Sequence, residues 1–226
     1  MTGINPLGVP AHRHTNPDGS EGGWVADTAT VAPTVHIGRD ALVYGDAQVF
    51  GTAQVYGNAL VYGTALVYGT ALVYGDAQVY GDALVYGNAL VYGDALVYGD
   101  ARVSGDARVS GTAMVSGDAL VYGDARVSGT ALVSGDAWVS GDAWVSETRH
   151  ILTIGPIGSE DQTITLARTH DGHTLTIGCW QNGTIDQLKA EVMKRAPQHW
   201  PEYKAARALL RLRAAEWDAA RNGGEA

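Results

Sequence analysis

The chain has 226 residues, 46% hydrophobic and 17% charged, with a formal net charge of −9 and a single cysteine. That length accommodates one elongated domain with an appendage or two small ones, and the absence of any run of roughly eighteen apolar residues excludes a helical membrane span. No basic region followed by an apolar one opens the chain, and Cys179 cannot close an intramolecular disulfide, so a signal peptide is not expected and the cytoplasm is the expected compartment.

Residues 1–23 hold Pro6, Pro10 and Pro17 with several glycines, and read as a flexible segment with a tight turn at Asn16-Pro17-Asp18-Gly19. His12 and His14 are two apart, but on a loose tail they are not expected to bind metal. Trp24, just before the first regular unit, is expected to act as a lid on the end of the next segment.

Residues 24–146 form that segment. From Val25 to Val145 an aliphatic residue recurs every six positions through twenty-one units, of which Val79-Tyr80-Gly81-Asp82-Ala83-Leu84 is typical. Six is a multiple of the strand period of two and a poor fit to 3.6, so the pattern rejects helix. Ala83 and Val85 then point one way while Leu84 and Tyr86 point the other, and Gly87-Asn88 bends the chain before the next short strand. A bend every six residues coils the chain into a solenoid, and a hexapeptide period suggests a parallel β-helix.

If three units make one coil, positions eighteen apart stack, and the outward residues sort into three faces. The first presents Leu42, Tyr44, Leu60, Tyr62, Tyr80, Leu96 and Tyr98 with no charge among its outward positions, and these seven are the candidate interface. The second carries Phe50, Tyr68, Tyr86 and Tyr122 with Arg102; the third carries Tyr56, Tyr74 and Tyr92, then Arg108 and Arg126. Corner aspartates stack as well, as at Asp82, Asp100, Asp118 and Asp136, and are read as turn residues ahead of calcium ligands.

Charge is unevenly placed. Residues 24–146 contain twelve Asp and four Arg, with no Glu or Lys, whereas residues 147–226 carry ten acids and ten bases. An acidic rod disfavours nucleic acid as a partner, although it admits mimicry toward a basic protein.

Residues 147–226 read as an α+β domain of three strands and two helices that caps the solenoid. Arg149 breaks the repeat, strands are expected at 150–154, 162–168 and 174–179, and turns at Gly155-Pro156 and Asp171-Gly172. Thr184 and Gln187 match a capping box before a helix at 185–195, and a second helix spans 201–220 with Tyr203, Leu209, Leu210 and Trp217 near one side and the end fraying from Gly223. Trp180, Asp186, Trp200 and Tyr203 are the candidate partner surface here, and Cys179 is expected to be a buried apolar residue.

The recurrent V-x-G-x-A-x unit resembles the left-handed β-helix of hexapeptide-repeat proteins, the trimeric LpxA-like fold. That likeness implies left-handed winding, three units per coil and about seven triangular coils. The stretch N-P-D-G-S-E-G-G-W-V-A-D-T-A at 16–29, the Y-G-D-A units, G-P-I-G-S at 155–159 and G-C-W-Q-N-G-T-I-D-Q-L at 178–188 together resemble a family of phage and prophage hexapeptide-repeat proteins. This second likeness implies phage association, hence a host cytoplasm, and carries no activity with it.

The best-known hexapeptide-repeat enzymes are acyltransferases that use a His base and a loop interrupting the prism. Here the repeat is uninterrupted and its only histidine is His36, in a degenerate end unit, so no catalytic residue is assigned. No metal ligand set or cofactor site is assigned either, since His170 and His173 flank the Asp171-Gly172 turn and the repeat glycines do not open a helix. The sequence thus points to a non-enzymatic solenoid that self-assembles, a trimer being one arrangement, or binds a protein partner. An acyl-CoA-dependent acyltransferase and an acidic phage effector acting on a host protein are the alternatives.

Overall fold

A computed structural model describes residues 6–158 and 160–223. The looseness expected at residues 1–5 and the fraying expected beyond Gly223 lie outside the described residues, apart from Gly223 itself, which closes a helix; Ser159 also lies outside them.

Each unit contributes a short strand, usually two residues such as Leu84–Val85, and bends at its glycine. Successive units lie on different sheets, and pairing joins residues eighteen apart: Leu42 with Leu60, Gln48 with Leu66, Leu72 with Leu90. Three parallel sheets result, each with seven rungs from the repeat, so the twenty-one units wind into seven three-sided coils. Backbone hydrogen bonds run along the axis between coils, as from Leu84 N to Ala101 O at 2.9 Å and from Tyr86 N to Val103 O at 3.0 Å. The corners join in, with Asn88 N donating to Gly105 O at 2.9 Å. Few buried backbone groups are left without a partner in such a coil, which is what permits so thin a core.

That core is alanine and valine alone through most of its length. From Ala41 to Val145 every inward Ala and Val is at most 1% exposed. Each buried valine contributes on the order of 1.5–3 kcal/mol, and a larger residue has no space in a prism closed on three sides.

The N-terminal end departs from expectation. Rather than a flexible segment running to residue 23, an antiparallel hairpin joins strand Ala11–Thr15 to Glu21–Ala26 and adds an eighth strand to the first face. The expected turn at 16–19 is its loop, closed by Gly19 N donating to Asn16 O at 2.8 Å. Polar side chains that a composition argument assigns to a loose tail instead satisfy the open end of the first coil. Asn16 is buried and its Oδ1 accepts from Ile37 N at 2.8 Å, while buried His14 donates from Nε2 to Val35 O at 2.9 Å. Trp24 is no lid. It pairs with Leu42, which puts it outward on the first face, and the Arg13 guanidinium lies 4.7 Å from its ring centroid.

At the other end a four-stranded antiparallel sheet takes over, with strands Ile151–Ile157, Gln162–Arg168, His173–Ile177 and Trp180–Gly183. The fourth strand was not expected. Gly155-Pro156, read as a turn, instead lies within the first strand, where the register shifts between Ile154 and Ile157. This sheet crosses the open end of the prism: Ala167 is 1% exposed and packs in the alanine-valine core, and Trp138 N donates to Thr165 Oγ1 at 3.0 Å. Helices α1 (Leu188–Arg195) and α2 (Trp200–Gly223) cover the sheet. The expected capping box is present, with Thr184 N donating to Gln187 Oε1 at 3.0 Å and Gln187 N to Thr184 Oγ1 at 3.3 Å. On α2 the buried residues are Tyr203, Ala206, Leu210, Ala214 and Trp217, at helical spacing; Leu209, expected beside them, is 47% exposed because it falls one position off that stripe.

Candidate functional site

The repeat builds its surface in columns. On the first face Tyr44, Tyr62, Tyr80 and Tyr98 stack in succession with ring centroids 4.8, 4.8 and 5.0 Å apart and nearly parallel planes. The second face stacks Tyr68 on Tyr86 and the third stacks Tyr56, Tyr74 and Tyr92. This spacing is the strand separation itself, so the ladder follows from register and glycine corners without any further signal. Leu42, Leu60 and Leu96 stand on the same rungs as Tyr44, Tyr62 and Tyr98, and all seven candidate interface residues are half-buried. Burial raises the phenol pKa of Tyr44, Tyr62 and Tyr80 above its ordinary value, with neighbouring ladder rings adding to the rise at Tyr62 and Tyr80.

At the corners, Asn58 Nδ2 donates to Asp76 Oδ1 at 2.8 Å, Thr64 Oγ1 to Asp82 Oδ1 at 2.5 Å and Asn88 Nδ2 to Asp106 Oδ1 at 3.0 Å. Among the described residues no group of three or more His, Cys, Asp or Glu side chains is arranged to hold a metal ion.

The C-terminal unit separates the four residues grouped there from sequence. Asp186 stays exposed and accepts from Arg211 at 2.7 Å and Arg207 at 3.2 Å, contacts that hold its carboxyl below the usual carboxylate range. Trp200 is half-buried, with the Lys189 ammonium 5.9 Å from its ring. Tyr203 is a correction: it is only 6% exposed, within the core of this unit, and offers little surface to a partner. Trp180 and Tyr203 do share the wall of a cleft of about 210 Å³ with Gln162, Cys179, Glu191 and Arg195. Sequence reasoning missed that cleft because it buried Cys179 in a strand. The strand ends at Ile177, Gly178 turns with φ of 51°, and Cys179 comes out exposed with Arg195 donating to its Sγ at 2.9 Å. Glu191 pairs in turn with Arg195.

His36 stands half-buried on a third-face rung opposite Gln54. His170 is bonded to Asp171 at 2.7 Å and stacks on Trp144, 5.8 Å between centroids, while Ile185 N donates to His173 Nε2 at 3.3 Å. At the junction, Arg168 lies 3.2 Å from His150 Nε2, and Ser146 meets His150 Nδ1 with its backbone N at 3.3 Å and its Oγ at 3.0 Å.

Seven stacked parallel coils with stacked outward rings decide the class. The chain is a β-solenoid repeat protein. Residues 53–69, 77–93, 83–99, 89–105, 97–111 and 101–117 match a family profile described as the YdcK beta solenoid repeat, so the middle of the prism is similar to that repeat. No curated protein matches the chain.

Proposed function

We propose that this β-solenoid is a non-enzymatic structural and interaction protein, phage-associated and wound left-handed, that assembles through its first face and acts in the cytoplasm of its host. The observation that carries the assembly is the uncharged column of Leu42, Tyr44, Leu60, Tyr62, Tyr80, Leu96 and Tyr98, running over four coils on a rod whose other faces and corners bear charge. An aliphatic and aromatic strip of this kind usually marks a contact site. A second copy is a suitable occupant because a rod presents the same strip along its length in every molecule, and two or three such strips bury one another by symmetry. Phage association and handedness rest on the residue likenesses at 16–29 and in the repeat. Trp180, Asp186 and Trp200 remain the proposed contact points for a protein partner at the capped end.

Sedimentation velocity at micromolar concentration tests the assembly. A dimer or trimer is expected, and Leu60→Lys with Leu96→Lys should shift it to monomer while the circular dichroism stays that of a β protein. A wild-type monomer would end the proposal. Saturable acetyl-CoA binding in calorimetry would instead favour the acyltransferase alternative, and salt-sensitive capture of a basic host protein would favour the effector.

A further inference from the structure

After its rung valines the second face carries Phe50, Tyr68, Tyr86, Ser104, Tyr122 and Ser140 in successive coils. Ser104 is the one serine of the prism with a tyrosine one coil before it and one coil after it, whereas the tyrosines of the first and third faces stop at Tyr98 and Tyr92 and do not resume. The ring column here is therefore interrupted for a single coil. Stacked rings elsewhere stand 4.8–5.1 Å apart, so Tyr86 and Tyr122 bracket a gap of about 10 Å at the spacing of paired strands. A cavity of about 290 Å³ opens at that place, lined by Tyr86, Arg102, Ser104, Leu120, Tyr122, Trp138 and Gln181 of the C-terminal sheet.

We propose that this cavity binds a neutral single-ring aromatic molecule of the phenol class, held where a tyrosine ring at position 104 would lie. Its volume lies just below the usual range of small-molecule pockets, roughly 300–1,000 Å³, which suits one ring. Tyr86, Tyr122 and Trp138 supply aromatic walls, and aromatic pairs gain beyond their buried area. One buried polar group calls for a partner, and an exposed cation stands beside it. The Tyr122 hydroxyl is buried with no hydrogen bond, and the Arg102 side chain makes no hydrogen bond or ion pair among the described residues, so its planar guanidinium is available both to pack on a ring and to donate to a phenol oxygen. A neutral ring is favoured over an anionic one because Asp100 and Asp118 occupy the corner before this face and Asp106 and Asp124 the corner after it.

The probe is p-cresol, the tyrosine side chain as a free molecule, titrated into the full chain by calorimetry and followed by tryptophan fluorescence. One saturable site per chain is expected. Ser104→Tyr fills the gap with the chain's own ring and should weaken binding by more than about tenfold, and Tyr122→Phe should weaken it about fivefold. Should Ser104→Tyr alter the circular dichroism, Ser104→Leu fills the same space and should weaken binding to the same extent. No saturable binding, or binding that filling position 104 leaves unchanged, would overturn the site.

Discussion

Gly57 and Gly135 hold nearly the same backbone, with φ of 69° and 62°, in different surroundings. A Cβ on Gly57 would meet Gly75 O at 2.8 Å and Gly75 N at 2.9 Å, whereas one on Gly135 would meet nothing within 4 Å. Alanine at either position takes on the left-handed strain of about 1–2 kcal/mol, but only at Gly57 does it also press on the backbone of the next coil. Gly57→Ala should therefore lower Tm clearly more than Gly135→Ala, and equal losses would show that the turn conformation alone demands glycine. The need for glycine at the corner was legible from its period; that a Cβ on Gly135 would meet nothing was not, because it depends on how the last coil gives way to the cap. Cys179 and Tyr203 were misread for a related reason. Whether one residue at a strand end or on a helix faces in or out turns on a single step of register, and local pattern fixes register only where many units repeat it.

Elements add properties that no residue has alone. A ladder of stacked phenols shields its members, and burial raises the pKa at Tyr44, Tyr62, Tyr68, Tyr74 and Tyr80. The folded chain thus keeps protons that the unfolded chain gives up near the ordinary value of 10.0, so stability falls as pH rises past it. Phenolate absorbance in a base titration should rise later for folded protein than for protein in guanidinium; coincident curves would mean that the rings do not shield one another. The junction between prism and cap works in the opposite direction. Burial first, and the Arg168 charge next, lower the His150 pKa, and burial lowers that of His173. These imidazoles take up protons more readily unfolded than folded, so stability is full above the ordinary value of 6.5 and declines as pH falls below it. Thermal unfolding between about pH 7.5 and 5 should show Tm dropping with acidification, and His150→Gln should flatten part of that drop. A Tm that is insensitive to pH, or a slope that the variant leaves unchanged, would remove His150 from the account.

At the scale of the whole molecule the prism is a closed object with two vulnerable ends, and each end is covered by a different device. Strand edges left open invite pairing with other chains. The hairpin of residues 11–26 closes one end with buried His14 and Asn16, and the antiparallel sheet closes the other with Ala167 in the core. The acidic repeat between them, with twelve Asp against four Arg over residues 24–146, leaves the first face as its uncharged strip, and association through that face is the expected behaviour of the rod. The sequence by itself determined the coil: a six-residue beat of valine, alanine and glycine admits one inward set of residues, and twenty-one repetitions leave no room for a slip in register. Only the tertiary structure decided how the ends are sealed, that the cap has four strands and where Cys179 emerges. Those features arise from contacts between residues distant along the chain, made once each, so no periodicity announces them.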